Sequence, residues 1–470
     1  MRFSAATTAG RLLPQRMAER AQPLLDRVDA VLNDRGGAGE AGRISVVAFA
    51  IRIVSAVIAL VSQVLLARWM GSFEYGIFVL VWVTMIIVGN LSCLGFHTSA
   101  IRFIPEYRET GRLDELRGIL LTSRVFVLLA STSIALAGAA GVFLLSDVVE
   151  SYYVLPFYLG LICLPMIALA DMLQGIARAN AWTISALSSI YLVRPLLILA
   201  FMALALWLGY APTAQTAILA SIAATYLTTL HQLVTVAARI GRRTPPGPRK
   251  AEYRLWIAVS LPIFLVEGFF FLLTNADVLM VGFYLDPHDV AVYYATVKVL
   301  ALVHFVYFAV KAGVAQQYAQ RMHTDGPEAL GRFARATVSW TFWPSLVVGL
   351  ALLLLGKPLL ALFGPGFEEG YALLFVLVPG ILARAAVGPA ESLLTMTGHQ
   401  NACAAIYSAA LALNIGLNVL LIPQFGLWGA AASTAIATLF EAAALAVMVW
   451  RKHGIAMIIF VPQLSREPSP

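Results

Sequence analysis

About twelve runs of roughly 20 predominantly apolar residues recur along this chain, and no other feature constrains its fold as tightly. They cover residues 45–67, 76–98, 119–145, 154–175, 184–208, 216–238, 255–284, 289–312, 337–355, 371–390, 402–423 and 425–450. Inside a bilayer the backbone must satisfy its own hydrogen bonds, so each run of this length reads as a helix. The composition agrees, with 60% hydrophobic residues, 12% charged and a mean hydropathy of +0.82. A soluble core cannot absorb such an excess, because cores stop growing near ~250–300 residues. The expectation is an all-α polytopic membrane protein. A net charge of +7 needs no nucleic-acid partner to explain it, since basic loops on one face of the membrane produce the same surplus.

The basic residues are distributed unevenly, and that sets an orientation. With the N-terminus inside, 24 of the 32 Lys and Arg fall in cytoplasmic segments, and Arg68 and Lys357 alone fall outside. Both termini are therefore expected in the cytoplasm. Residues 1–44 carry seven arginines and no apolar h-region, which argues against a cleavable signal and for a basic cytoplasmic extension. Within it Asn33–Arg43, rich in glycine, reads as a flexible linker into the membrane. Cys93, Cys163 and Cys403 lie in apolar runs at spacings that match no metal or disulfide pattern, so they read as packing residues.

The two halves of the chain resemble each other. Met70–Phe78 after the first run has a counterpart in Leu285–Tyr293 after the seventh, an offset of 215, and Gly111 and Arg117 meet Gly326 and Arg332 at the same offset. Six spans per half, an even number, make these parallel repeats about an axis along the membrane normal. The expected division is an extension at 1–44, a first lobe at 45–238, a cytoplasmic linker at 239–254, a second lobe at 255–450 and a cytoplasmic tail at 451–470. The Pro-rich charged stretch Gly241–Lys250 marks the boundary.

Four stretches, in order, resemble the multidrug/oligosaccharidyl-lipid/polysaccharide exporter superfamily, and within it the Wzx-type polysaccharide or O-antigen flippases. They are Leu65–Phe78 (LLARWMGSFEYGIF), Asn275–Gly282 (NADVLMVG), Leu362–Tyr371 (LFGPGFEEGY) and Asn414–Ala435 (NIGLNVLLIPQFGLWGAAASTA). The resemblance implies two six-helix lobes around a central cavity. It also implies movement of a polyprenyl-pyrophosphate-linked oligosaccharide from the cytoplasmic to the periplasmic leaflet of a bacterial inner membrane, for lipopolysaccharide, O-antigen or exopolysaccharide synthesis. Its partners would be that lipid, the bilayer and other polysaccharide assembly proteins. No cofactor is implied beyond coupling to H+ or Na+. The extension at 1–44 lies outside the pattern.

An ionisable residue at bilayer depth costs at least ~2.5–3.5 kcal/mol, so those inside the spans are the candidate site. Arg52, Arg194, Lys298 and Arg384 are the candidate substrate-binding cations, because guanidinium and ammonium groups in a wet cavity suit a pyrophosphate. Pro195 should break the helix ladder beside Arg194. The competing role for these cations is structural pairing with Asp171, Glu267, Asp277 or Glu441. Arg124 is expected to snorkel and Lys311 to be a helix end. Glu267 and Asp277 are the candidate ion-coupling acids. Ten residues of helix place them about 80° apart, so one cavity sees both only if the helix unwinds, for which Pro262 is the expected site. His231 and His304 read as packing residues.

Three functions compete. An enzyme is disfavoured because the longest outer loop, about residues 356–370, cannot house the periplasmic domain of a ligase or polymerase, and the absence of GxxxxGK[ST] argues against an ATP-driven pump in one chain. A cation-coupled drug exporter of the same superfamily would want an acidic, aromatic cavity. A non-transporting scaffold is the third. Basic residues within the spans of both halves favour the anionic lipid.

Overall fold

The computed structural model describes residues 37–146, 150–324 and 326–459, without the side chains of 37–50, 52, 53, 266, 312, 315, 316, 319, 322–324 and 327. Among the described residues every regular element is helical. The first half comprises α1 (Gly37–Ser92), α2 (Phe96–Glu109), α3 (Leu113–Leu144), α4 (Ser151–Ala179), α5 (Thr183–Ser188), α6 (Arg194–Trp207) and α7 (Ala214–Arg243). The second comprises α8 (Tyr253–Leu273), α9 (Ala276–Tyr284), α10 (Pro287–Thr324), α11 (Gly326–Ala361), α12 (Leu374–Val387), α13 (Ala390–Met396), α14 (Gln400–Phe425) and α15 (Leu427–His453).

Eleven of the described helical stretches are long and apolar enough to cross a membrane. The first, from Val54, is kinked at Gly71, whose φ of 78° is left-handed, and so it makes two passes. The chain thus crosses about twelve times, as the apolar runs require. Successive turns alternate between a basic end, holding residues 110–112, 180–182, 244–252 and 397–399, and a far end, holding Gly71, 208–213, 362–373 and Gly426.

Several boundaries differ from the sequence expectation. The supposed linker at Asn33–Arg43 is helical from Gly37, since its Ala and Glu residues continue into the apolar run without a stop signal. Residues 1–36 and 460–470 lie outside the described residues. Lys311 is no helix end, because α10 runs on to Thr324 through an Ala- and Gln-containing stretch that favours helix. Pro262 stays within α8, and the chain breaks instead at Thr274-Asn275, where both side chains hydrogen-bond back to the α8 carbonyls of Phe270 and Phe271.

Apolar packing divides the bundle in an asymmetric way. At the far end one core contains Tyr75, Phe78 and Val81 from the first half together with Tyr293, Phe363 and Leu374 from the second. At the basic end each half has its own core. One holds Phe103, Tyr107, Ile119 and Met172 and is entered from the second half by Trp256, and the other is built on Tyr318, Phe333, Leu393 and Tyr407. Contacts between the halves at the basic end are largely polar. Ser99 and Ser260 hydroxyls are 2.7 Å apart, Thr98 donates to Glu267 at 2.7 Å, and Tyr107 donates to Glu252 at 3.0 Å while accepting from Trp256 Nε1 at 2.9 Å.

The segment between the halves is strapped to the first. Arg117 Nε donates to Pro245 O at 2.8 Å and its Nη1 to Pro248 O at 3.1 Å, while Lys250 N donates to Asp114 O at 3.0 Å. Lys250 Nζ also pairs with Glu115 at 3.0 Å.

Candidate functional site

The intramembrane charges fall into separate groups. In the first half, Pro195 has no N–H to offer the carbonyl four residues back, and the ladder shifts to a π turn over Ser189–Val193, with Arg194 N–H donating to Ser189 O. This distortion presents Arg194 half-buried, with Nη1 fully enclosed and without a hydrogen-bond partner among the described residues. Asp171 on α4 stands in the field of Arg194 and faces Asn90 on α1. Among the described residues no closer ion pair joins Asp171 and Arg194, and Nη1 is the donor left without a partner. Arg52 lies on α1, but its side chain is outside the described ones.

In the second half Arg384 is already engaged. Its Nη1 lies 2.9 Å from Oε1 and 3.0 Å from Oε2 of Glu441, and its Nη2 lies 3.3 Å from Glu391 Oε2. Glu391 also accepts from Lys311 Nζ and from the Tyr407 hydroxyl. The Arg384 guanidinium sits 4.8 Å over the Tyr307 ring. Two cations and two carboxylates compensate one another here, with Arg384, Glu391 and Glu441 all under one-tenth exposed. Arg384, expected as a candidate phosphate ligand, is thus found in the ion pairing that competes with that role. Glu391, Lys311 and Tyr407 were missed. The signal was present in Gly388-Pro389, which interrupts the helix and returns an acid to the bundle, with Gly388 at φ 64°.

Asp277 and Glu267 are not brought together. Asp277, at the start of α9, accepts from Tyr293 at 2.9 Å, and that hydroxyl is also 3.2 Å from Thr434 Oγ1 on α15. Lys298 stands in the field of Asp277, half-buried, with Nζ 4.6 Å over the Tyr294 ring. Glu267 faces the other half, between Thr98 and His97, whose Nε2 is 3.6 Å away. Of the remaining residues, Arg124 folds its Nε back to Leu120 O at 2.6 Å, one turn nearer the start of α3. The three cysteines are free and buried. His231 is exposed at the basic end rather than packed, and His304 lies 6.3 Å from the Phe308 ring.

The motif Leu65–Phe78 builds the contact between the halves at the far end. Arg68 Nε donates to Leu362 O at 2.6 Å, Ser72 Oγ lies 2.8 Å from His288 Nδ1, and Tyr75 packs against the Phe367 and Tyr294 rings. Glu74 caps α7 by accepting from Ala214 N at 2.7 Å. At Gly76 a Cβ would stand 1.7 Å from Pro287 O, so the second glycine of the motif is what lets the two halves touch backbone to backbone.

Comparison with known proteins places this arrangement. A family model described as "Polysaccharide biosynthesis protein" matches residues 43–315, and a model described as MatE matches residues 262–420. No curated relative matches the chain. Among solved structures, an inward-facing multidrug resistance MATE family transporter of the MOP superfamily superposes with a TM-score of 0.71 at 12% identity, over 87% of this chain and 98% of that one. The lipid II flippase MurJ in an inward closed conformation gives 0.65 at 14% identity, over 86% and 87%. A MOP superfamily transporter from Pyrococcus furiosus, whose binding pocket is described as reversed in polarity, gives 0.59 at 13% identity, over 91% and 96%. The first of the two family models spans more than half of the chain, and the fold is that of the membrane transporters it superposes on, so this chain belongs to the polysaccharide biosynthesis protein family.

Proposed function

We propose that this protein is an alternating-access flippase that carries a polyprenyl-pyrophosphate-linked oligosaccharide from the cytoplasmic to the periplasmic leaflet of a bacterial inner membrane, for surface polysaccharide synthesis. The observation that carries the reading is Arg194, a guanidinium at bilayer depth on a π-distorted helix, with an enclosed Nη1 left unpartnered. A planar fork of this kind suits two phosphate oxygens at once. Lys298 supplies a cation from the second half, and Arg52 is the further candidate on α1. The divided cores at the basic end favour access from that side, where a lipid carrying its sugars on the cytoplasmic face would enter. The moving units are the lobes at 45–238 and 255–450.

Asp277 is the better-placed of the two coupling acids, because it shares a field with Lys298 and is held by Tyr293. A proton or Na+ taken up there would release Lys298 toward an anionic substrate. Glu267 instead joins the halves at the basic end, where losing its charge would loosen the Thr98 contact.

Arg194→Ala should abolish export of the lipid-linked oligosaccharide in a strain dependent on this protein while leaving its abundance near wild type. Arg194→Lys should restore export only in part, since lysine keeps the charge and loses the fork. Normal export by a stable Arg194→Ala protein would overturn the reading. The second reading, a cation-coupled drug exporter, is favoured by the match of the MatE model to residues 262–420. It predicts efflux of organic cations that is indifferent to Arg194→Ala. The proposed orientation, both termini cytoplasmic, is tested by thiol labelling, for which the three buried native cysteines give a low background. Pro365→Cys should label in intact cells and Arg249→Cys only after the membrane is opened; the reverse pattern would invert the topology.

A further inference from the structure

We propose that a crevice between α5 and α7 at the basic end of the bundle binds the phosphate of a lipid headgroup, outside the central site discussed above. Its volume is about 550 Å³, within the range of small-molecule sites. Ser185, Ser188 and Ser189 line one wall and His231, Thr235 and Arg239 the other, and no carboxylate is among the lining residues. The crevice exists because of the same backbone fault that presents Arg194, for Ser189 is the first residue of the π turn. Ala181, at its mouth, adopts φ 57°, a left-handed conformation that a residue with a Cβ takes only under constraint.

The charge around the crevice is uncompensated. Arg239 and Arg243 hold their guanidiniums 5.4 and 5.3 Å over the Trp182 ring, and among the described residues neither has an acidic partner within ion-pairing distance. Arg108 stands in the field of Arg243 and, among the described residues, donates to Asn180 Oδ1 at 2.8 Å. Arg239 therefore lines a cleft of hydroxyls, with Arg243 beside it over the Trp182 ring, which is the chemistry of a phosphate site. That the phosphate belongs to a lipid follows from the flanks. Ile184 and Val234 are 62% and 66% exposed beside it, and the eight steps from His231 to Arg239 span about 12 Å of helix with this apolar flank along it. A soluble anion has no use for that apolar border. Both the lipid that carries the oligosaccharide and the anionic phospholipids of the membrane offer the required headgroup.

Trp182 is a built-in reporter. The full-length protein in phosphatidylcholine nanodiscs would be titrated with farnesyl pyrophosphate, with phosphatidylglycerol and with inorganic pyrophosphate, and tryptophan fluorescence followed. The expected result is a saturable change with either lipid that vanishes in Trp182→Phe and whose midpoint rises about tenfold in Arg239→Gln, the loss of one charge-assisted hydrogen bond. Arg239→Lys should lie between, at unchanged melting temperature. Should Arg239→Gln misfold, Thr235→Leu, which fills the crevice without touching a charge, must weaken binding in its place. Preference for farnesyl pyrophosphate identifies the carrier lipid as the occupant, and equal binding of phosphatidylglycerol identifies bulk anionic lipid; both support the site. Equally tight binding of inorganic pyrophosphate, or a signal that Arg239→Gln and Thr235→Leu leave alone, would overturn it. The readout is binding, so its failure leaves the Arg194 export test standing, and the converse also holds.

Discussion

Arg384 and Arg194 are both arginines at bilayer depth, yet their surroundings ask different things of them. Arg384 is 7% exposed and divides its guanidinium between Glu391 and Glu441, so its removal strands two buried carboxylates with Lys311 as the remaining cation. Breaking a buried pair from one side costs about 3–5 kcal/mol, whereas replacing both partners by apolar groups is often near neutral. Arg384→Ala should accordingly lower the stability of the detergent-solubilised protein by about that amount. Arg384→Met combined with Glu441→Leu should recover much of the loss, both read from unfolding midpoints. A null effect of Arg384→Ala would mean that the network carries no net stability. Arg194, half-buried and with a donor to spare, predicts the opposite pattern, a loss of transport at little cost in folding.

Among the helices the decisive feature is the turn at Met70–Phe78, where two glycines do different jobs. Gly71 supplies the left-handed φ that folds α1 back on itself, and a Cβ there would meet nothing within 4 Å. Gly76 supplies space, with Pro287 O where its Cβ would stand. Gly71→Ala should cost only the backbone strain, about 1–2 kcal/mol, while Gly76→Ala should force α1 away from α10 and cost more. Thermal unfolding of the two variants checks the order, and equal losses would remove the close approach. The pattern from Leu65 to Phe78 made this turn legible in the sequence, as did Pro195 the distorted helix at Arg194, because both depend on local backbone chemistry. What could not be read was the partner of each charge. Glu391 sits beyond a Gly-Pro break that looks like the end of a span, and Lys311 sits where the apolar run stops while the helix does not. Glu267 and Asp277 share a run of sequence, but the break at Thr274-Asn275 sends one toward α2 and the other toward α15. Pairing of this sort is decided by packing between helices, which periodicity within one helix does not encode.

For the molecule as a whole, the alternating access proposed above would require outward opening to separate the far-end contacts, Ser72 with His288 and Arg68 with Leu362. A Ser72→Cys, His288→Cys protein joined by a short bis-thiol reagent should lose export and regain it on reduction. Undiminished export by the joined protein would mean that these residues never part. Motion also depends on how the halves are tethered. The stretch 244–250 would serve as a leash of up to about 25 Å if it were free, but Arg117 and Asp114 bind it along the edge of α3. The strap continues to the start of α8, since Glu252, next to Tyr253, pairs with Arg112 at 2.9 Å and accepts from Tyr107 at 3.0 Å. Under the proposed alternating access, a joint held this closely would permit tilting and oppose sliding, with the pivot at the foot of α3. Lengthening the chain at Pro246 would then leave the pivot as it is, whereas the same insertion after Ala251 would give the machine play where it needs a bearing.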